Sequence, residues 1–183
     1  MRQQYGDKPI RVAIVGPESS GKSTLAEDLA RRLCGLGWAA TWVEEYSRAY
    51  YADKPYVSTP ADIEAIAAGQ LAAEDAAAAG SRILLCDTTV LTCKIWAEVA
   101  HGAASAQLLA LYRPHDYDLT LLACPDIPWQ PDPLRSHPTQ RDWLLALHRQ
   151  ELARQGIQAV ELRGEREPRL ERALRSVLAL LAA

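Results

Sequence analysis

Gly16 to Thr24 reads GPESSGKST, and it follows directly on the apolar run Ile10 to Val15. The stretch fits the phosphate-binding pattern G-x-x-x-x-G-K-[ST] at every fixed position. Behind it Leu25, Leu29 and Leu33 recur at four-residue spacing, so the pattern sits between a strand and a helix, where its mechanism requires it. Gly16 and Gly21 let the chain approach a ligand closely. The backbone N–H groups of Glu18, Ser19, Ser20, Gly21, Lys22, Ser23 and Thr24 can then gather around one anion. Lys22 adds a positive charge for the β and γ phosphates of a nucleotide, and the Ser23 hydroxyl is a hard oxygen donor of the kind Mg²⁺ takes.

Working outward, further apolar runs follow at Ala40–Val43, Ile83–Cys86, Leu119–Ala123 and Gln158–Leu162, with helical patterns between them. They are too apolar for half-exposed antiparallel strands, and they predict an α/β chain whose parallel sheet is covered on both faces. Gly35 and Gly37 stop the first helix. Thr59-Pro60 opens a long alanine-rich helix that ends before Gly80, with the line Ile63, Ile66, Ala67 leading to Gln70. Gln70 is a satisfied core amide or a ligand contact. Leu91, Ile95 and Val99 mark another helix, Ala103–Tyr112 a short one, Leu144, Leu147 and Leu152 a third starting near Pro138. Leu170, Leu174, Val177 and Leu181 mark the last. Pro125–Pro138 holds five prolines and can be neither regular helix nor sheet. The segment of about 125–141 reads as a lid on a single domain spanning 1–183.

Three features beyond the loop narrow the chemistry. Asp87 ends the third strand run, at the sheet edge where open α/β sheets place their ligands, and suits a metal-side or catalytic carboxylate, an N-cap of the next helix, or both. Thr88 follows it where motor ATPases usually carry a catalytic glutamate. Glu44 and Glu45 alternate at the end of the second strand, with Arg48 three residues on; one carboxylate can take a hydroxyl proton or hold a sugar diol, and Arg48 can reach phosphate. Trp129, Asp132, Arg135 and Arg141 lie in and just beyond the proline-rich segment, where a lid arginine would cover a transferring phosphoryl group and exclude water. Arginines 163, 166, 169, 172 and 175 interleave with glutamates and read as a solvated, ion-paired helix face.

Composition excludes other classes. At 183 residues, folding hides roughly 70% of the chain's surface, so neither disulfides nor a structural metal is needed. Twenty basic against 23 acidic side chains, net charge −3, leave no footprint for nucleic acid or an anionic membrane. The chain has no asparagine, which removes the guanine-reading and kinase-loop asparagine motifs. Cys34, Cys86, Cys93 and Cys124 form no C-x-x-C pair, and Cys86 and Cys124 read as buried strand residues. Met1–Lys8 shows no leader and no run of about 20 apolar residues occurs, so a cytoplasmic protein with reduced thiols is expected. Oligomeric state is left open.

The ordered set GPESSGKST, EYSR at Glu45–Arg48, Gln70, CDT at Cys86–Thr88, YDLTLL at Tyr117–Leu122 and W-x-x-D-x-x-R-S at Trp129–Ser136 resembles the ribosylnicotinamide kinase domain of the NadR type. The resemblance covers most of the chain. It implies a P-loop NTPase fold of nucleoside-kinase type, three layers about a five-stranded parallel sheet, and phosphorylation of nicotinamide riboside by ATP and Mg²⁺ in NAD biosynthesis. Carried over, it places Lys22 and Ser23 at ATP and Mg²⁺, Asp87 and Glu45 near the riboside and metal, and Arg135 on the lid. The cationic nicotinamide ring would stack on Trp129 or Tyr46, with Arg48 and Gln70 close by. Longer members carry DNA-binding and adenylyltransferase modules for which this sequence has no room, so neither repression nor the step to NAD is expected of it. A kinase for another nucleoside-like acceptor, or a nucleotide-dependent regulatory ATPase, are the alternatives.

Overall fold

The computed structural model describes residues 8–182; all of the leader reading except Lys8 falls outside them. Five strands, β1 (Ile10–Val15), β2 (Ala40–Val43), β3 (Ile83–Asp87), β4 (Leu119–Ala123) and β5 (Val160–Leu162), form one parallel sheet in the order β2-β3-β1-β4-β5. Among the described residues seven α-helices accompany them: α1 (Lys22–Gly35), α2 (Tyr46–Tyr50), α3 (Pro60–Ala78), α4 (Val90–His101), α5 (Ala106–Leu111), α6 (Arg141–Arg154) and α7 (Arg166–Ala182). The covered parallel sheet is what the alternating pattern predicts, and the three-layer fold of P-loop NTPases is what the resemblance implies.

Side chains of a strand alternate between faces, and here both faces are covered. Val12 and Ile14 of β1 pack with Ile83, Leu85, Leu121 and Leu162 under α1 and α7. Ala13 and Val15 point the other way, onto Leu91 and Ile95 of α4 and Leu145 and Leu152 of α6. Leu84 and Cys86 meet the small Ala73, Ala77 and Ala78 of α3, which lets that alanine-rich helix lie close on the sheet. Thr59 caps α3 as expected, in a reciprocal capping box with Asp62. Among the described residues no helix is long and apolar enough to cross a membrane.

Two expectations need correction. Helix α2 has no counterpart in the sequence reading, because one and a half turns are too short to show a period. The arginine row is not uniformly solvated. Arg169 is 5% exposed and donates to the carbonyls of Gly164 (2.7 Å), Ser20 (2.7 Å) and Cys124 (2.8 Å), with Asp126 as its carboxylate partner. Its guanidinium is buried behind the loop after β1, where it holds the Ser20 carbonyl.

The chain leaves β1 through Gly16 at φ +143°, a conformation essentially confined to glycine. A Cβ there would lie 2.4 Å from the Ala123 carbonyl oxygen, at the end of β4. Gly16→Ala is therefore expected to cost roughly 2–3 kcal/mol in urea melts, from backbone strain and displacement of the β4 end; a loss below 1 kcal/mol would show that the loop has another accessible path.

Candidate active site

The sheet order brings three strand ends together. Ile14 of β1 pairs with Asp87 of β3, and Val43 of β2 pairs with Cys86, so Gly16, Asp87 and Glu44-Glu45 emerge side by side at the carboxyl edge. Strand β1 lies between β3 and β4, which makes this the point where successive connections diverge. A cavity of about 240 Å³ opens there.

One half of the cavity is the loop Gly16–Thr24. Gly21, left-handed at φ +80°, precedes α1 without any side-chain cap, and the first turn carries no acidic residue. The uncapped N–H groups and the positive helix end are the elements of an anion site. Gly16 and residues Glu18 to Thr24 all line it. The Lys22 ammonium donates to the carbonyls of Gly16 (3.1 Å) and Pro17 (2.9 Å), within the same loop. Ser20 Oγ donates to Pro17 O at 2.8 Å and tightens the turn.

The other half is built by α2, α3 and α4. Glu45 precedes α2, lines the cavity, and accepts a hydrogen bond from Ser47 Oγ at 2.9 Å. Tyr46 is held from behind in two ways. Its N–H donates to Gln70 Oε1 at 3.0 Å, and its ring lies on the backbone at Gly69, where a Cβ would come within 2.1 Å of the ring. Gln70 also donates to Glu74 (3.2 Å), a fully buried carboxylate that accepts from Tyr117 Oη (2.9 Å) and whose pKa burial raises. Of the two readings of Gln70, the core amide is the one these bonds describe, although the residue does touch the cavity.

Tyr51, Tyr56, Ser58 and Trp96 are among the wall residues that escaped the sequence reading. Tyr51 meets Tyr56 edge to face at 4.9 Å, and Tyr56 lies tilted against Trp96 at 6.3 Å, whose indole N–H donates to Ser58 Oγ at 2.7 Å. Tyrosines clustered just after EYSR were the available signal. Trp129 is not on this wall. It faces the Arg141 guanidinium, 5.8 Å from the ring centre, so of the two aromatics named for ring stacking only Tyr46 lines the cavity.

The proline-rich segment crosses the loop and is bonded to it. Gln130 N–H donates to Ser19 Oγ (2.9 Å), Ser136 N–H and His137 N–H donate to the Glu18 carboxylate (3.1 and 3.0 Å), and Arg141 donates to Ser19 O and Ile127 O (3.1 and 2.9 Å). Arg48 reaches Asp132 of the segment at 2.9 Å. Arg135 lies on the cavity wall and donates to Gln130 O at 2.6 Å.

Asp87 is 1% exposed, just behind the wall, and its Oδ1 has no hydrogen-bond partner. Thr89 rather than Asp87 stands at the cap of α4, so the capping role is not the aspartate's. Burial pushes the Asp87 carboxyl up to about 6; Lys22, the Ser23 hydroxyl and Arg48 favour its ionised form, and the charge on Glu45 opposes it. A buried carboxylate with a spare oxygen, beside the Ser23 hydroxyl, fits a hard divalent cation. Among the described residues no cluster of three or more His, Cys, Asp or Glu side chains could hold a metal alone, so its other ligands would be phosphate and water oxygens.

Fold and loop together define a P-loop nucleotide-binding protein. The chain belongs to the AAA domain family, whose pattern matches residues 11–169. Among solved structures it is similar to a NadR protein in complex with NR, at TM-score 0.71 and 20% identity over 93% of this chain and 50% of that one. A NadR protein in complex with NAD and AMP-PNP matches at TM-score 0.70 and 21% identity, over 93% and 49%. The chain thus spans about half the length of the NadR chains it matches, and shares their fold. A search of curated proteins finds no match.

Asp87 has a raised pKa in the folded chain and an ordinary one in the unfolded chain. Folding therefore favours its protonated form, and its contribution to stability falls as pH rises from about 4 to 6. Asp87→Asn is expected to stabilise the ligand-free protein at pH 7.5 by roughly 1–2 kcal/mol and to abolish that difference at pH 4. Paired thermal melts at the two pH values check it.

Proposed function

We propose that the protein is an ATP-dependent kinase that transfers the γ-phosphoryl group to the 5′-hydroxyl of nicotinamide riboside, forming nicotinamide mononucleotide. The observation that carries this reading is the single cavity joining a phosphate loop to an aromatic compartment with a carboxylate, Glu45, on its wall. The NadR complexes with NR and with AMP-PNP support both halves of it.

In this reading the loop N–H groups and Lys22 hold the triphosphate, Lys22 exchanging the Gly16 and Pro17 carbonyls for phosphate oxygens. Ser23 and Asp87 would hold Mg²⁺, which when bound neutralises charge on the phosphates. Tyr46, Tyr51, Tyr56 and Trp96 surround the cationic nicotinamide ring, whose charge favours aromatic faces. Glu45, on the cavity wall where Asp87 is behind it, takes the proton as the ribose oxygen bonds to the γ-phosphorus and the bond to the ADP oxygen breaks. Arg48 lines the same cavity and pairs with Asp132. The segment 125–141 acts as a lid, and Arg135 turns from Gln130 O to the phosphoryl oxygens, adding positive charge where negative charge moves.

The test incubates the protein with Mg-ATP and a panel of nucleosides including nicotinamide riboside, reading products by mass spectrometry. Nicotinamide mononucleotide is expected, with turnover reduced at least ~100-fold by Lys22→Ala, the equivalent of losing two steps of ~1.4 kcal/mol in the transition state. Glu45→Gln is expected to lower kcat by a factor of ~100 with little change in KM for ATP. Phosphorylation of a different nucleoside only would move the acceptor assignment; ATP binding without any acceptor would remove the kinase reading.

A further inference from the structure

Glu18 sets a problem of sign. It places a carboxylate in the loop that gathers N–H groups for an anion, where a negative charge opposes the triphosphate. Its side chain is only 14% exposed. Both oxygens accept from Ser136 N–H, at 3.2 and 3.1 Å, and Oε2 accepts from His137 N–H at 3.0 Å. Hydrogen bonds to an ionised acceptor are about twice as strong as neutral ones. The donors are consecutive amides that directly follow Arg135, the arginine on the cavity wall. The His137 ring also stands edge-on to Trp96 of the aromatic compartment, at 5.6 Å and 88°. Glu18 thus ties the loop to a stretch of the segment that carries Arg135 and also meets the aromatic compartment.

We propose that Glu18 is a positioning residue that latches the segment 125–141 closed through the amides of Ser136 and His137, holding Arg135 over the donor phosphates and keeping water out. The inference rests on the kinase reading above. With the latch released, a water oxygen can bond to the γ-phosphorus in place of the ribose oxygen while the same bond to ADP breaks, so ATP and water give ADP and phosphate.

The test uses the full chain with Glu18→Ala and the near-isosteric Glu18→Gln, which keeps one accepting oxygen. Amide exchange is read on residues 134–137, flanked by the non-exchanging Pro133 and Pro138. ADP and phosphorylated nucleoside are measured together. In Glu18→Ala, Ser136 and His137 are expected to exchange at least ~10-fold faster, as befits loss of a charge-assisted bond. The ratio of ADP to nucleoside product should rise at least ~5-fold, and kcat should fall more than KM for the nucleoside changes. Glu18→Gln should lie between, and it carries the test if the alanine variant fails to fold. Unchanged exchange overturns the latch. Faster exchange with an unchanged product ratio overturns its catalytic role. Wild-type protein that phosphorylates no nucleoside overturns the kinase reading and that role with it, while the exchange data still report the contact separately.

Discussion

A loop that turns its N–H groups toward one point must have its carbonyls held from outside, and that requirement organises much of this molecule. The Gly16 and Pro17 carbonyls accept from Lys22, and Pro17 also from Ser20. Arg141, at the start of α6, takes the Ser19 carbonyl, and Arg169, in α7, takes that of Ser20. Each bond satisfies an acceptor that the tight turn cannot satisfy by itself. Two helices on opposite faces of the sheet thereby converge on one loop, and the close pass of Gly16 over the Ala123 carbonyl completes the frame.

The aromatic side of the cavity is organised differently, by a polar thread inside the core. Glu74, Gln70 and Tyr117 form a closed set of hydrogen bonds whose free end, Gln70 Oε1, holds the Tyr46 N–H. Arg11 stands 3.7 Å from the same carboxylate. Partly satisfied, such a network would be a liability; satisfied, it fixes α2 against α3 and with it the place of Glu45. Gly69 belongs to the same device, since a helix interior gains nothing from glycine except the room the Tyr46 ring occupies.

Legibility followed the physical signals. Strand runs were readable because burial on both faces makes them continuously apolar, and β1, β2 and β4 fall on the residues read as runs. The loop Gly16–Thr24 was readable because its chemistry is local in sequence. Arg169 was not, since its spacing matches solvated neighbours and two of its partners lie 45 and 149 residues away. Trp129 misled because an aromatic in a lid-like segment has no local mark of which way it faces. Tyr51, Tyr56 and Trp96 come together only once the connection after α2 folds onto α4, a tertiary event that no short pattern records.

The reach of Arg169 has a consequence for the order of events during synthesis. The Ser20 carbonyl gains its partner only when α7 exists, 145 residues after Thr24. At roughly 5–20 residues per second that interval is about 7–30 s. Through it the nascent chain carries the whole GPESSGKST sequence without the brace behind it. Until then one carbonyl of the loop lacks its partner, and a translation product that stops before α7 would present the motif without that brace.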